Sequence, residues 1–77
     1  MNALLHSPQV FGRRVACRRT ELGMKAKDVA QDAGIDATYL SRIEHGRAWP
    51  KRPVRVALAH TLSVDLADLE GPEDQIA

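Results

Sequence analysis

Apolar residues recur along this chain at helical intervals, and no stretch shows the strict alternation of a strand. Phe11, Val15 and Leu22 fall at relative positions 0, 4 and 11, one face of a helix. Ser7-Pro8 supplies its start, with Ser as N-cap and Pro at the first helical position, and Gly23 marks its end. A second helix is predicted over about 25–33 with Met24 packing at its entry, and a third over about 37–45, stopped by Gly46. The segment Arg47-Ala48-Trp49-Pro50-Lys51-Arg52-Pro53 carries two prolines and reads as a loop, with Pro53 placed to open the next helix. Val54, Leu58 and Leu62 then repeat at i, i+4 and i+8, beside Ala57 and Thr61, which predicts a fourth helix. Asp65–Leu69, acidic at its start, suits a brief fifth. Gly71-Pro72 breaks the chain ahead of a tail expected to fray. The pattern predicts an all-α domain over residues 8–70, with an N-terminal arm over 1–7 and a short tail over 71–77.

Within that frame residues 26–46, AKDVAQDAGIDATYLSRIEHG, have the spacing of a helix-turn-helix. Ala30 is small where two helices must cross closely. Gly34, four residues on, suits the left-handed residue that ends one helix and begins a tight turn. Asp36 is positioned to cap the next helix through its carboxylate. Val29, Ala33, Ile35, Leu40 and Ile43 supply the apolar faces that fix the angle between the two helices. A helix held that way can lie in a DNA major groove.

Composition sharpens the picture. A chain of 77 residues is one small domain near the lower limit for a self-sufficient core, so dimerisation is attractive on stability grounds and a deep catalytic pocket is not expected. The single Cys17 cannot form an internal disulfide, which suits a reducing cytoplasm. No apolar run approaches the roughly 18 residues of a membrane span, and Met1–Ser7 lacks the features of a signal peptide. A net charge of +1 conceals an asymmetry: positions 1–55 hold all eleven Lys and Arg and sum to +6, whereas 56–77 hold five acids and sum to −5. A basic body suits the phosphate attraction on which DNA affinity rests, although segregated surface charge alone would look the same.

The stretch Phe11–Leu69 resembles the Cro/repressor type helix-turn-helix family, also called the xenobiotic-response-element family. The resemblance rests on Phe11-Gly12-Arg13-Arg14-Val15, Arg19, Val29-Ala30, Gly34, Tyr39-Leu40-Ser41-Arg42-Ile43-Glu44-x-Gly46, Pro50, Leu58-Ala59, Leu62 and Val64-Asp65-Leu66. Among small members it is most similar to phage repressors and to restriction–modification controller proteins. The resemblance implies a compact, five-helix, lambda-repressor-like DNA-binding domain, working as a homodimer on a palindromic operator and regulating its own promoter. It also implies that Ala37, Thr38 and Arg42 face the bases and that Arg19 and Glu44 form a structural ion pair. One departure stands out. The family's second helix usually opens with Ser or Thr followed by a phosphate-binding Gln, where this chain has Lys25 and Ala26. Lys25 or Lys27 would then bind phosphate as a point charge.

Arg42 is the expected base reader, since a guanidinium can hold guanine O6 and N7 together. Thr38 can meet a base or a phosphate, Ala37 offers a small apolar contact, and Ser41 either faces the groove or bonds back within its helix. With so few readers, operator shape is expected to contribute to specificity. Tyr39 is expected to pack between helices with its hydroxyl reaching a phosphate, and Arg47, Lys51 and Arg52 are expected phosphate contacts. Trp49 closes the core, stacks on the nucleic-acid backbone or packs at a dimer seam. Arg13, Arg14 and Arg18 either add to the DNA-facing field or keep the domain soluble.

Val64, Leu66 and Leu69 are candidates for a self-complementary dimer surface, the alternative being that they fold back on the first helix. Leu4 and Leu5 of the arm either pack on the partner or stay disordered. His6, His45, His60 and Cys17 do not have metal-ligand spacing, and no catalytic motif, cofactor motif or small-molecule site is evident. Cys17 reads as a small helix residue rather than a redox sensor. Duplex DNA, a second copy and RNA polymerase are therefore the candidate partners. The competing reading is an antitoxin or other protein-interaction module, with DNA binding secondary.

Overall fold

The computed structural model describes residues 7–71, an all-helical unit with five helices and no strand among those residues. They are α1 (Pro8–Glu21), α2 (Ala26–Ala33), α3 (Ala37–Glu44), α4 (Arg52–Thr61) and α5 (Leu66–Glu70). The arm expected over 1–7, with Leu4 and Leu5, and the tail over 71–77 lie outside the described residues except for Ser7 and Gly71. Among the described residues no helix is long and apolar enough to cross a membrane.

Side-chain caps set the starts of α1 and α5. The Ser7 hydroxyl accepts from Val10 N at 3.2 Å, capping α1 ahead of Pro8. Asp65 N donates to the Asp68 carboxylate at 3.1 Å, one half of a capping box on α5. At α3 the expectation is corrected: Asp36 is the N-cap residue, but no side-chain cap bond forms. The second helix has none either, consistent with Lys25 at its cap.

The first four helices end alike, with a left-handed residue whose neighbour bonds back over the last turn. In α3, Arg47 N reaches Arg42 O at 2.8 Å and Gly46 N reaches Ile43 O at 3.0 Å. Gly34 at φ 75° does the same for α2. The fourth helix uses Ser63 at φ 58°, a non-glycine in a region costing about 1–2 kcal/mol.

One core joins all five helices. Phe11 and Val15 of α1 meet Val29 and Ala30 of α2, Leu40 and Ile43 of α3, Leu58 and Ala59 of α4, Leu62 after it, and Leu69 of α5. The first helix packs on α3 and α5, and α2 packs on α3 and α4. Leu22, expected on the core face of α1, is instead 40% exposed. The helix stops one residue earlier, and as its C-cap Leu22 turns away. Gly12 is the buried α1 residue that allows close approach, because a Cβ there would lie 2.0 Å from Ile43 O.

Two arginines with open expectations prove to hold helix ends. Arg14 Nη1 donates to Gly71 O at 2.7 Å, and Arg18 Nε donates to Leu62 O at 2.9 Å. Each places a cation at carbonyls that the helix leaves unpaired. Thr61 ties α4 to α2 by donating to Asp32 Oδ2 at 2.7 Å.

Candidate nucleic-acid interface

The third helix is fixed by its inner face and bare on its outer one. Leu40 and Ile43 are fully buried, Tyr39 packs half-buried against the same core, and the Gly12 backbone lies against the Ile43–Glu44 end. At that end Arg19 grips Glu44 through both ends of its fork, Nε to Oε2 at 2.7 Å and Nη2 to Oε1 at 3.1 Å. Arg19 Nη1 also donates to Met24 O at 3.1 Å, so one guanidinium holds α3 and the α1–α2 turn together. The side chains are 22% and 10% exposed, and the hydrogen bond to Glu44 raises the Arg19 pKa against the opposing effect of burial. Removing one member would strand the other in a half-dry site.

The residues left outside are Ala37, Thr38, Ser41, Arg42 and His45, all exposed. At 3.6 residues per turn they occupy an arc of roughly 140°, opposite the core positions. The His45 ring Nδ1 lies 2.8 Å from Ser41 O, against the helix. The result is a rigid rod with small and polar side chains on its free face and one long cation, a shape that fits a major groove.

Around α3 the basic side chains divide into two groups. Arg14, Arg18, Arg19 and Arg55 are engaged by carbonyls or carboxylates of the fold. Among the described residues, no intramolecular hydrogen bond or ion pair holds the side chains of Lys25, Lys27, Arg42, Arg47, Lys51 or Arg52, and all six are exposed. Lys25 and Lys27 sit at the start of α2, Arg47 follows α3, and Lys51 and Arg52 open α4.

Trp49 closes the core under the loop. Its ring meets Phe11 edge to face, with centroids 5.4 Å apart and planes at 68°. The Arg55 guanidinium stands 4.7 Å above the Trp49 ring centre. Arg55 was not singled out by sequence reasoning, because nothing in the order of residues links it to Glu70. Gly12 did carry a signal, since a glycine inside a helix costs about 1 kcal/mol and calls for a reason.

At the acidic end, Leu69 is corrected from the expected dimer surface. It is 2% exposed, packed in the monomer's own core, and has almost no apolar area left to offer a second copy. Val64 and Leu66 are half-buried at the edge of that core. Val56, unmarked by the sequence pattern, is 45% exposed on α4. Among the described residues, no group of three or more His, Cys, Asp or Glu could hold a metal.

A family model for a helix-turn-helix domain matches residues 10–70. The HTH-type transcriptional regulator DdrOP3 of Deinococcus deserti is 41% identical over 56 residues, which is 71% of this chain and 43% of that protein. This chain thus spans less than half the length of that curated relative. The restriction-modification controller protein C.AhdI from Aeromonas hydrophila superposes with a TM-score of 0.77 at 26% identity, covering 80% of this chain and 94% of its own. The P22 c2 repressor, solved in complex with a synthetic operator, gives a TM-score of 0.78 at 22% identity, covering 82% of this chain and 96% of its own. The five-helix arrangement is therefore the lambda-repressor-like fold.

Proposed function

The chain belongs to the helix-turn-helix domain family, and from that premise we propose that it is a transcriptional regulator reading duplex DNA through the outer face of α3. The observation that carries this reading is a buried-backed helix whose free face has no duty in the fold, flanked by basic side chains without intramolecular partners. Arg42 reads a guanine through paired hydrogen bonds, and Ala37, Thr38 and Ser41 fill the groove beside it. Lys25, Lys27, Arg47, Lys51 and Arg52, with the Tyr39 hydroxyl, hold phosphates and set the register without reading sequence.

The working unit is a homodimer on a palindromic operator. Half-sites lie about 10–10.5 bp apart, one helical turn, so that both copies of α3 meet the same side of the duplex. Val56, Val64 and Leu66 are the apolar groups available to the seam. Bound there, the dimer blocks or recruits RNA polymerase, and its own promoter is the first operator to examine.

Selection of bound sequences from a random duplex pool at near-physiological salt tests this reading. Enrichment of a palindrome with one-turn half-site spacing is the expected result. Salt-sensitive binding with no enriched sequence would contradict it and favour a protein-interaction module with only non-specific DNA attraction.

A further inference from the structure

The loop between α3 and α4 carries Arg47 and Lys51 and leads straight into Arg52 at the first turn of α4, yet the helical ladders do not run through it. The bond from Arg47 N to Arg42 O closes α3, and the next ladder begins where Lys51 O accepts from Val54 N and Arg55 N. Between them the chain is anchored by side chains. Pro50 is fully buried, and Trp49 lies half-buried against Phe11. Above Trp49 sits the Arg55 guanidinium, which does three things at once. It stacks on the indole ring at 4.7 Å, donates through Nη1 to Pro50 O at 2.7 Å, and pairs through Nε with the carboxylate of Glu70, the last residue of α5. Its side chain is only 12% exposed, with its charge answered by Glu70. Arg55 is therefore poorly placed to serve a phosphate itself. A planar fork with a stacking face can satisfy all three partners together, which a lysine cannot.

We propose that Arg55, clamped by Glu70, is the positioning residue of the DNA interface, fixing the 47–51 loop so that Arg47, Lys51 and Arg52 meet phosphates in register. Because the proposal rests on the DNA-binding reading above, its test needs one readout that involves no DNA. Trp49 is the only tryptophan of the chain, so its emission reports the loop directly.

Arg55→Lys and Glu70→Gln are compared with the unaltered chain, with thermal unfolding confirming that each is folded at the assay temperature. Where Arg55→Lys does not fold, Glu70→Gln carries the test, since it keeps the shape and one acceptor oxygen while removing the charge. The expected result has three parts. Trp49 emission shifts to the red and becomes more accessible to acrylamide. The slope of log Kd against log salt falls by about 1–2, as each lost phosphate contact removes about 0.9. The ranking of operator variants stays that of the unaltered chain, because Arg42 is untouched. Unchanged Trp49 accessibility, or an unchanged salt slope in a folded variant, would overturn the proposal. Failure of the unaltered chain to bind any duplex would overturn the DNA reading itself, and this shows before any variant is compared.

Discussion

Arg42 and Arg19 are the same residue type with opposite fates, decided by what stands within reach of each guanidinium. Arg19 is spent on Glu44 and Met24 O, whereas Arg42 projects from the free face of α3 with no carboxylate or carbonyl holding it. The family resemblance implied that Arg42 faces outward, and in the fold it is exposed while Leu40 and Ile43 are buried on the opposite side of α3. The fates of Arg14, Arg18 and Arg55 were not legible, since their partners at Gly71, Leu62 and Glu70 lie on elements far away in the chain. Arg42→Ala is expected to relax preference at one base pair per half-site, costing on the order of 1–3 kcal/mol per base contact. Titrations against a panel of singly substituted operators measure it, and ratios identical to those of the unaltered chain would remove Arg42 as the reader.

Among the elements, α3 owes its angle to a small set of close contacts. The joint placement of Ala30, Gly34 and the apolar residues around them made the α2–α3 pair readable, because each rule acts within one or two turns. Where a local rule misled, a tertiary or terminal effect had won. Leu22 matched the helical period but fell just past the end of α1, and Leu69 went to the core because α5 packs against both α1 and α4. Gly12 is the contact that most directly sets the distance from α1 to α3. Gly12→Ala puts a methyl group against backbone, where no rotamer change can relieve it, and is expected to destabilise the domain by about 3 kcal/mol. Thermal or urea unfolding of the variant checks this. A loss under about 0.5 kcal/mol, the range of ordinary surface substitutions, would mean that the helices separate at little cost.

Over the whole molecule the sequence shows a positive body and a negative end, +6 and −5 by position. Folding changes what those charges can do. Arg55 and Glu70 neutralise each other across the divide, and Arg19 and Glu44 do so within the body, so the charge available to phosphates gathers on Lys25, Lys27, Arg42, Arg47, Lys51 and Arg52. Lys51→Ala should weaken binding evenly over all sequences and lower the salt slope by about 1. A slope that does not move would take Lys51 out of the phosphate set.

On the proposed reading the outer face of α3 and its basic surround form the DNA-binding surface, and the acidic end stays free. Amide chemical-shift mapping during titration with the selected duplex tests it most directly. The largest shifts are expected at Ala37, Thr38, Ser41 and Arg42, with further shifts at Lys25, Lys27, Arg47, Lys51 and Arg52. Shifts concentrated on Asp65–Glu70, with α3 unmoved, would contradict it.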